Sequence, residues 1–393
     1  MVGPDPAETL SPTPGRVDVV CVDDRHLEPL AQFYRQTWDA GATAETVHRA
    51  RAAAAAANPL SPGQPPPTFL LLAGGRALGH VTTIPVRLWA GGAQRAGYWV
   101  KGLMVVPDHR NGPVGMLLLR EALHHLPLAM AMVVQPAPRR LLHALGFTDL
   151  GTIPNHLRLL RPTNLLRHLD SDALGVVAGA RHLTRVVRLA RRTGLAAAAG
   201  ATAAAAGAVW SSLLGGVPRS LEVRIDTPLD SAEIDALWQE ARRGLAAAPC
   251  RDGTYLRARY AAMGDGPYRL VAARAAGALR GVAVVRAPRT ESDERLRGIR
   301  IATLSDLIFP PDQPHLGRAV IAGAERQAAA LSADALLCSA THGVITSLLR
   351  RRAFLRLAGN VHFMIRDTEQ GRYPPALADW WLTRGDSNAD EMF

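Results

Sequence analysis

Short apolar runs alternate with turn residues from residue 17 onward, and the apolar spacing switches between a period of two and a helical period. Residues 17–22 predict a strand, 26–40 a helix and 44–57 a second helix. Residues 58–67 are rich in Pro and Gly and read as a loop. Strands follow at 68–73 and 77–89, with Gly74-Gly75 as the hairpin turn between them. The stretch 98–126 reads as a buried strand, a tight turn after Pro107, a short basic loop and a helix. A buried strand at 130–134 leads to a helix that stops at Gly146-Phe147, Gly being the favoured C-terminal stop. A last strand pair spans 150–160.

The order then repeats. A strand at 221–225 precedes a helix at 231–244, with Ser231 as its expected cap, and a helix at 255–263. Strands at 268–274 and 279–286 are split by a turn at Gly277. A strand at 300–309, a helix at 316–331, a strand at 335–339, a helix at 343–352 and a strand at 361–366 complete the second half. The expected division is an arm at 1–16, a first domain at 17–161, a linker at 162–218, a second domain at 219–375 and a tail at 376–393.

The loop inside 98–126 carries the clearest chemistry. Arg110, Asn111, Gly112 and Gly115 stand where loop becomes helix. Backbone N–H groups at a helix start, with the macrodipole behind them, suit a phosphate-like anion. Gly115 lets the backbone approach such an anion closely. Pro113 has no N–H and removes one donor from the cradle.

Pro107, Arg110, Gly115 and the Leu117-Leu118-Leu119 run match in register the acyl-CoA-binding motif of the GNAT acyltransferases, which this stretch resembles. Pro113 departs from the pattern, standing where the first motif Gly is expected. The strand, helix and closing Gly146-Phe147 that follow are also similar to that family. The resemblance implies an α/β (α+β) fold of two GNAT-like domains, each a mixed, mostly antiparallel central sheet flanked by helices. It implies that Met104, Val105, Val106, Arg110, Asn111, Gly112, Val114, Gly115 and Met116 hold acetyl-CoA or another acyl-CoA as co-substrate. It also implies that the pantetheine arm pairs with strand 130–134. Many members place a Tyr five residues before the closing Phe as general acid; here that position is Leu142. The second copy is degenerate, because Pro310-Pro-Asp-Gln-Pro-His-Leu-Gly317 replaces the anion loop and Ala353-Phe354 replaces Gly-Phe. Arg251-Asp-Gly-Thr-Tyr-Leu-Arg-Ala-Arg-Tyr260 and the tail from Trp380 to Asp390 resemble stretches of tandem GNAT-like proteins encoded with polysaccharide or secondary-metabolite pathways.

Composition changes the picture in three places. The net charge of +11 raises nucleic acid as a partner, but the basic residues are scattered and aromatics are only 5%, so stacking platforms are few and nucleic acid is set aside. Three cysteines without metal-ligand spacing argue against a disulfide framework or a metal site and suit a reducing cytoplasm. Residues 193–218 carry no charge and reach membrane-span length, behind the basic amphipathic stretch 181–192. An inter-domain helix packed through small residues and a membrane contact through 181–218 both stay open, as does a homodimer.

An amine must be neutral to attack a thioester. Acyl transfer therefore needs a route for one proton and a donor for the oxyanion and thiolate. Lys101, the chain's single lysine, lies on the motif strand and either acts there as base, holds an acceptor carboxylate, or faces solvent. His143 stands one residue from the missing Tyr. In the second half, Asp306 inside a strand and His342 at a strand end either flank an acceptor pocket or serve as structural polar residues. The expected activity is acyl-CoA-dependent N-acylation of a small amine such as an amino sugar or a pathway intermediate. The alternatives are a non-catalytic binding or scaffold protein on the same fold, and a membrane-associated transferase acting on a lipid-linked acceptor.

Overall fold

The computed structural model describes residues 17–168, 196–225, 230–260, 266–289, 298–368, 373–387 and 390. The expected N-terminal arm and the basic stretch 181–192 lie outside them. Two compact units part elsewhere than at the expected linker. One contains the described residues up to Pro85 with Gly97–Ala129, the other Val86–Ala96 with the chain from Met130.

In the first unit, β1 (Val17–Cys21) runs antiparallel to β2 (Thr68–Ala73), and β2 antiparallel to β3 (Arg76–Ala90), which leads into β4 (Ala93–Val105). Helix α1 (Leu27–Thr37) buries Leu30, Ala31 and Phe33. These pack with Val22, Val47, Leu70, Ala77 and Val106 into a core. Helix α2 (Ala44–Ala56) starts at a capping box in which Thr43 and Thr46 satisfy each other's backbone N–H. Helix α3 (Val114–His124) turns Val114, Leu118, Leu119, Ala122 and Leu123 inward, the i, i+4 spacing of one apolar stripe.

The second unit continues with β5 (Leu128–Val133), α4 (Pro136–Ala144), β6 (Thr148–Leu159), α5 (Pro162–His168) and α6 (Ala196–Leu214). It then runs β7 (Glu222–Ile225), α7 (Ser231–Ala241), β8 (Ala247–Pro249), α8 (Gly253–Arg259), β9 (Tyr268–Ala275), β10 (Ala278–Arg286) and β11 (Ile301–Ile308). It closes with α9 (Pro314–Ala330), β12 (Ala335–Ser339), α10 (Gly343–Arg351) and β13 (Leu355–Asp367). Its sheet has the order β5-β13-β6-β12-β11-β10-β9-β7. The pairs β13–β6, β6–β12, β11–β10, β10–β9 and β9–β7 are antiparallel. Strands β11 and β12 run parallel, joined through α9 as a parallel pair requires. Strand β6 comes from the first half of the chain yet sits between β13 and β12 of the second half. That pairing is why residues 130–168 group with the second unit. The core beneath α9 holds Leu316, Val320, Ile321 and Ala324 against Val271, Val282, Val284, Leu304 and Leu307.

The tip of the β3–β4 hairpin also belongs to this unit. Leu88–Ala90 pairs antiparallel with β8, Arg87 forms an ion pair with Asp252 at 2.8 Å, and Arg242 lies 4.5 Å over the Trp89 ring. Helix α7 is capped by Asp230, whose carboxylate accepts from Ala232 N–H, and not by Ser231 as expected.

Helices α4 and α10 end in the same motif. At α4, Phe147 N–H donates to Leu142 O and Gly146 N–H to His143 O, with Gly146 at φ +87°. At α10, Phe354 N–H donates to Leu349 O and Ala353 N–H to Arg350 O, with Ala353 at φ +59°. The two halves thus share the cap, but the second places a Cβ in the left-handed region. That costs about 1–2 kcal/mol, against roughly 0.5–1 kcal/mol of extra chain entropy for Gly. Ala353→Gly should therefore raise stability by up to about 1 kcal/mol, read as a higher melting temperature. An unchanged or lower value would show that the cap carries no strain.

Candidate active site

The anion loop is built by the end of β4. Val106 is buried and its N–H donates to Leu78 O, which fixes where the strand stops. Pro107 opens a single helical turn over Pro107–His109, and Arg110 N–H closes it on Pro107 O. Gly112 N–H turns back to His109 O, and Pro113 takes the N-cap position of α3. The first helical bond is Leu117 N–H to Pro113 O. The N–H groups of Val114, Gly115 and Met116 precede it and have no partner within the helix. Arg110 and Asn111 are exposed, and Arg110 Nε donates to Val105 O at 3.1 Å, which holds its guanidinium over the loop. Met104 and Val105 are half-buried on β4. All nine expected acyl-CoA residues therefore lie on one strand–loop–helix unit.

Pro113 removes its own N–H but does not disturb α3, since an N-cap N–H lies outside the helical ladder. The corresponding entrance of the second half is built differently. Phe309, Pro310 and Pro311 are buried, Asp312 is exposed, and α9 begins at Pro314, which has no N–H. That entrance offers fewer donors and a carboxylate.

Strand β4 brings a second group of residues together that sequence reasoning did not find. Gly102 adopts φ +62° in the middle of the strand, a backbone shape that a Cβ disfavours. Its carbonyl accepts a hydrogen bond from His80 Nδ1 at 3.1 Å. A carbonyl only accepts, so Nδ1 carries the imidazole proton and Nε2 is left as an acceptor. Tyr34 OH, 3.2 Å away, donates to it. His80 is 1% exposed, whereas Tyr34 is half-buried and Trp38 stacks on it at 4.3 Å with about half its own surface open. Burial pushes His80 down to about 4, with Lys101 and Arg51 adding positive charge nearby, so the ring is neutral. Burial pushes Tyr34 up to about 12, so its hydroxyl keeps the proton at neutral pH. Lys101 is half-buried beside Gly102. The one sequence signal was a histidine inside an apolar strand, which needs a partner when buried.

These shifts set a pH dependence. Burial pushes both His80 and His156 from 6.5 to about 4. The unfolded chain then binds protons more readily than the folded one between these values, so stability is complete above pH 6.5 and lost as pH falls toward 4. Each histidine contributes up to roughly 3 kcal/mol to that loss. Melting temperatures should drop over this window, and less steeply in a His80→Gln/His156→Gln variant.

The residues expected in the second half, Asp306 and His342, are held in separate contacts. Asp306 is 1% exposed and its carboxylate is saturated. Oδ1 accepts from Arg251 Nε at 2.6 Å, Leu307 N–H at 3.0 Å and Thr383 Oγ1 at 3.1 Å. Oδ2 accepts from Tyr255 OH at 2.8 Å and Tyr260 OH at 3.1 Å. Arg251 also binds Asp386 at 2.7 Å. Asp306 is thus the centre of a buried hydrogen-bonded network, the structural polar role that the sequence left open for it. The two stretches that resemble tandem GNAT-like proteins, Arg251–Tyr260 and the tail, meet in this network. His342 caps α10, accepting from Val344 N–H, and packs on Trp381 at 5.0 Å. Trp381 in turn donates from Nε1 to Leu307 O at 2.9 Å. His143 is exposed near the end of α4, where its carbonyl serves the Gly146 cap. Among the described residues no His, Cys, Asp and Glu cluster suits a metal.

No family model matches the sequence, and no curated protein matches it significantly. Solved structures do. A conserved protein of Enterococcus faecalis V583, described as a probable N-acyltransferase, superposes with a TM-score of 0.55 at 10% identity, over 90% of this chain and 73% of that one. A GCN5-related N-acetyltransferase from Anabaena variabilis ATCC 29413 superposes at 0.52 with 13% identity, over 89% and 72%. A GCN5-related N-acetyltransferase from Kribbella flavida gives 0.50 with 14% identity, over 89% and 71%. At such identities the likeness speaks for architecture: the chain has the fold of the GCN5-related N-acetyltransferases, the GNAT fold.

Proposed function

We propose that this protein is an acyl-CoA-dependent N-acyltransferase that transfers an acyl group, acetyl in the simplest case, to a small amine such as an amino sugar. The observation that carries the reading is the loop 106–116, where a strand end, Arg110 and three N–H groups without helical partners converge at the start of α3 on a GNAT fold. That arrangement suits a pyrophosphate, with charge-assisted contact from Arg110.

The proton-handling groups follow from β4. The neutral amine attacks the thioester carbonyl carbon, the tetrahedral intermediate expels the CoA sulfur, and the C–S bond breaks as the amide C–N bond is completed. Tyr34, protonated at neutral pH, is assigned as donor to the departing sulfur: its hydroxyl turns from His80 Nε2 toward the sulfur as the C–S bond breaks, and the phenolate left behind takes a proton back from solvent. The surplus proton on the new amide nitrogen goes to Lys101 in its neutral form or to water. Gly102, with its positive φ, marks where the thioester would lie.

Calorimetric titration of acetyl-CoA into the full chain tests the reading. Arg110→Ala should weaken binding by roughly 1.5–3 kcal/mol, about tenfold to a hundredfold, because a charge-assisted contact is lost. Equal affinity in wild type and variant would remove Arg110 from the site. No binding by either would overturn the reading.

A further inference from the structure

Helix α6 is apolar but hardly buried. Its 18-residue window Ala197–Leu214 has a mean hydropathy of 1.3, yet only 11% of it is covered by the rest of the chain. What is covered is one stripe. A Cβ on Gly200 would meet Thr163 Oγ1 at 2.3 Å, one on Gly207 would meet Arg158 Nη1 at 2.6 Å, and one on Gly215, just past the helix end, would meet Arg352 Cδ at 2.7 Å. Ser211 is buried between the last two. Intervals of seven, four and four place these residues on a single helix face. The small residues thus seat α6 on α5 and the end of α10. Arg158 Nη2 donates to Gly207 O and Trp210 Nε1 to Arg350 O, which hold it there.

The rest of the helix faces outward. Val209 is 59% exposed, Trp210 48%, Leu213 77% and Leu214 46%. Four large apolar side chains clustered within six residues are not the scattered exposure of an ordinary surface. Basic residues are exposed at both ends of the helix. Arg350 and Arg351 at the end of α10 lie beside the cluster, where Trp210 bonds Arg350 O, and Arg161, Arg167 and His168 surround α5, which packs at the Gly200 end. Helices α5, α6 and α10 contain no Asp or Glu.

We propose that this face is a docking surface for an anionic phospholipid bilayer. Helix α6 lies in the interface, with Val209 and Leu213 inserted at the acyl boundary, the Trp210 ring and Leu214 at its margin, and the flanking arginines on lipid phosphates. The geometry fits a helix lying on the membrane rather than one crossing it, because the Gly200–Gly207–Ser211 stripe remains packed on the protein. A second copy of this chain is the less suited occupant, since two such faces would bring their own arginines together.

The test is flotation of the full-length protein with vesicles of phosphatidylcholine alone and of phosphatidylcholine mixed with phosphatidylglycerol. The protein should float with the mixed vesicles, at least roughly tenfold more than with phosphatidylcholine alone, and high salt should weaken this. Val209→Glu/Leu213→Glu should abolish flotation without lowering the melting temperature, since both side chains are exposed. Arg350→Ala/Arg351→Ala should reduce it while leaving the salt-independent remainder. The inference is overturned if the protein floats with neither vesicle or if the glutamate variant floats like wild type. It is also overturned if gel filtration shows a dimer that the glutamate variant splits, because a second copy then covers the face. None of these outcomes depends on acyl-CoA binding.

Discussion

Tyr34→Phe should lower kcat for acyl transfer by about 10²–10⁴ while acyl-CoA still binds, the range expected when a positioned proton donor is removed. Tyr34 is half-buried, its hydroxyl keeps its proton to about 12, and it is oriented by a histidine whose Nδ1 donates to the Gly102 carbonyl. The ring itself packs on Trp38 and His80, and Phe preserves that packing, so stability should change little. His80→Gln should lower kcat less, because it misorients the donor without deleting it, and should leave KM for acyl-CoA unchanged. If Tyr34→Phe retains full kcat, the Tyr34–His80 pair is part of the core and proton handling lies elsewhere. If it loses stability instead of turnover, the pair is structural.

The largest loss of stability is expected from Arg251. Its guanidinium is wholly buried and bridges Asp306 at 2.6 Å and Asp386 at 2.7 Å. Arg251→Met keeps the bulk but leaves two carboxylates buried without their cation. Breaking a buried pair in this way costs about 3–5 kcal/mol, a large part of the total stability of a domain. Burial already raises the Asp386 pKa against the pull of Arg251, and without that guanidinium it should rise further, so Arg251→Met should recover stability relative to wild type as pH falls. Arg251→Met/Asp306→Asn should recover part of the loss, since the two residues form one network. A midpoint unchanged in urea would mean that the tail from Trp380 is not anchored through this network.

The elements with strong periodicity were legible from the residues alone. The strand, loop and helix around Arg110, the Gly146-Phe147 stop and the repeat in the second half all appear at their expected places. What escaped had no local signal. Strand β8 is three residues long, contains Pro249 and exists because it pairs with Leu88–Ala90 more than 150 positions earlier. The Tyr34–His80 bond spans 46 residues and Arg251–Asp386 spans 135, so neither leaves a spacing to read. Asp306 was correctly read as a carboxylate in need of a partner, but which of pocket or ion pair supplied it depended on a tail 77 residues away. The missing Tyr at Leu142 directed attention to His143, and nothing local pointed to Tyr34, the phenol on α1 that bonds His80. The alanine of the second cap shows the converse, where the local motif persists although its preferred residue is gone.

The most direct measurement is a crystal structure of the full chain grown with acetyl-CoA. Pyrophosphate oxygens should lie within hydrogen-bond distance of the Val114, Gly115 and Met116 N–H groups and of Arg110, with the thioester beside Gly102 and within reach of Tyr34. Saturating acetyl-CoA that leaves this loop empty, or that binds at the Pro310–Pro314 entrance instead, would contradict the assignment of an acyl-CoA site to the first half of the chain.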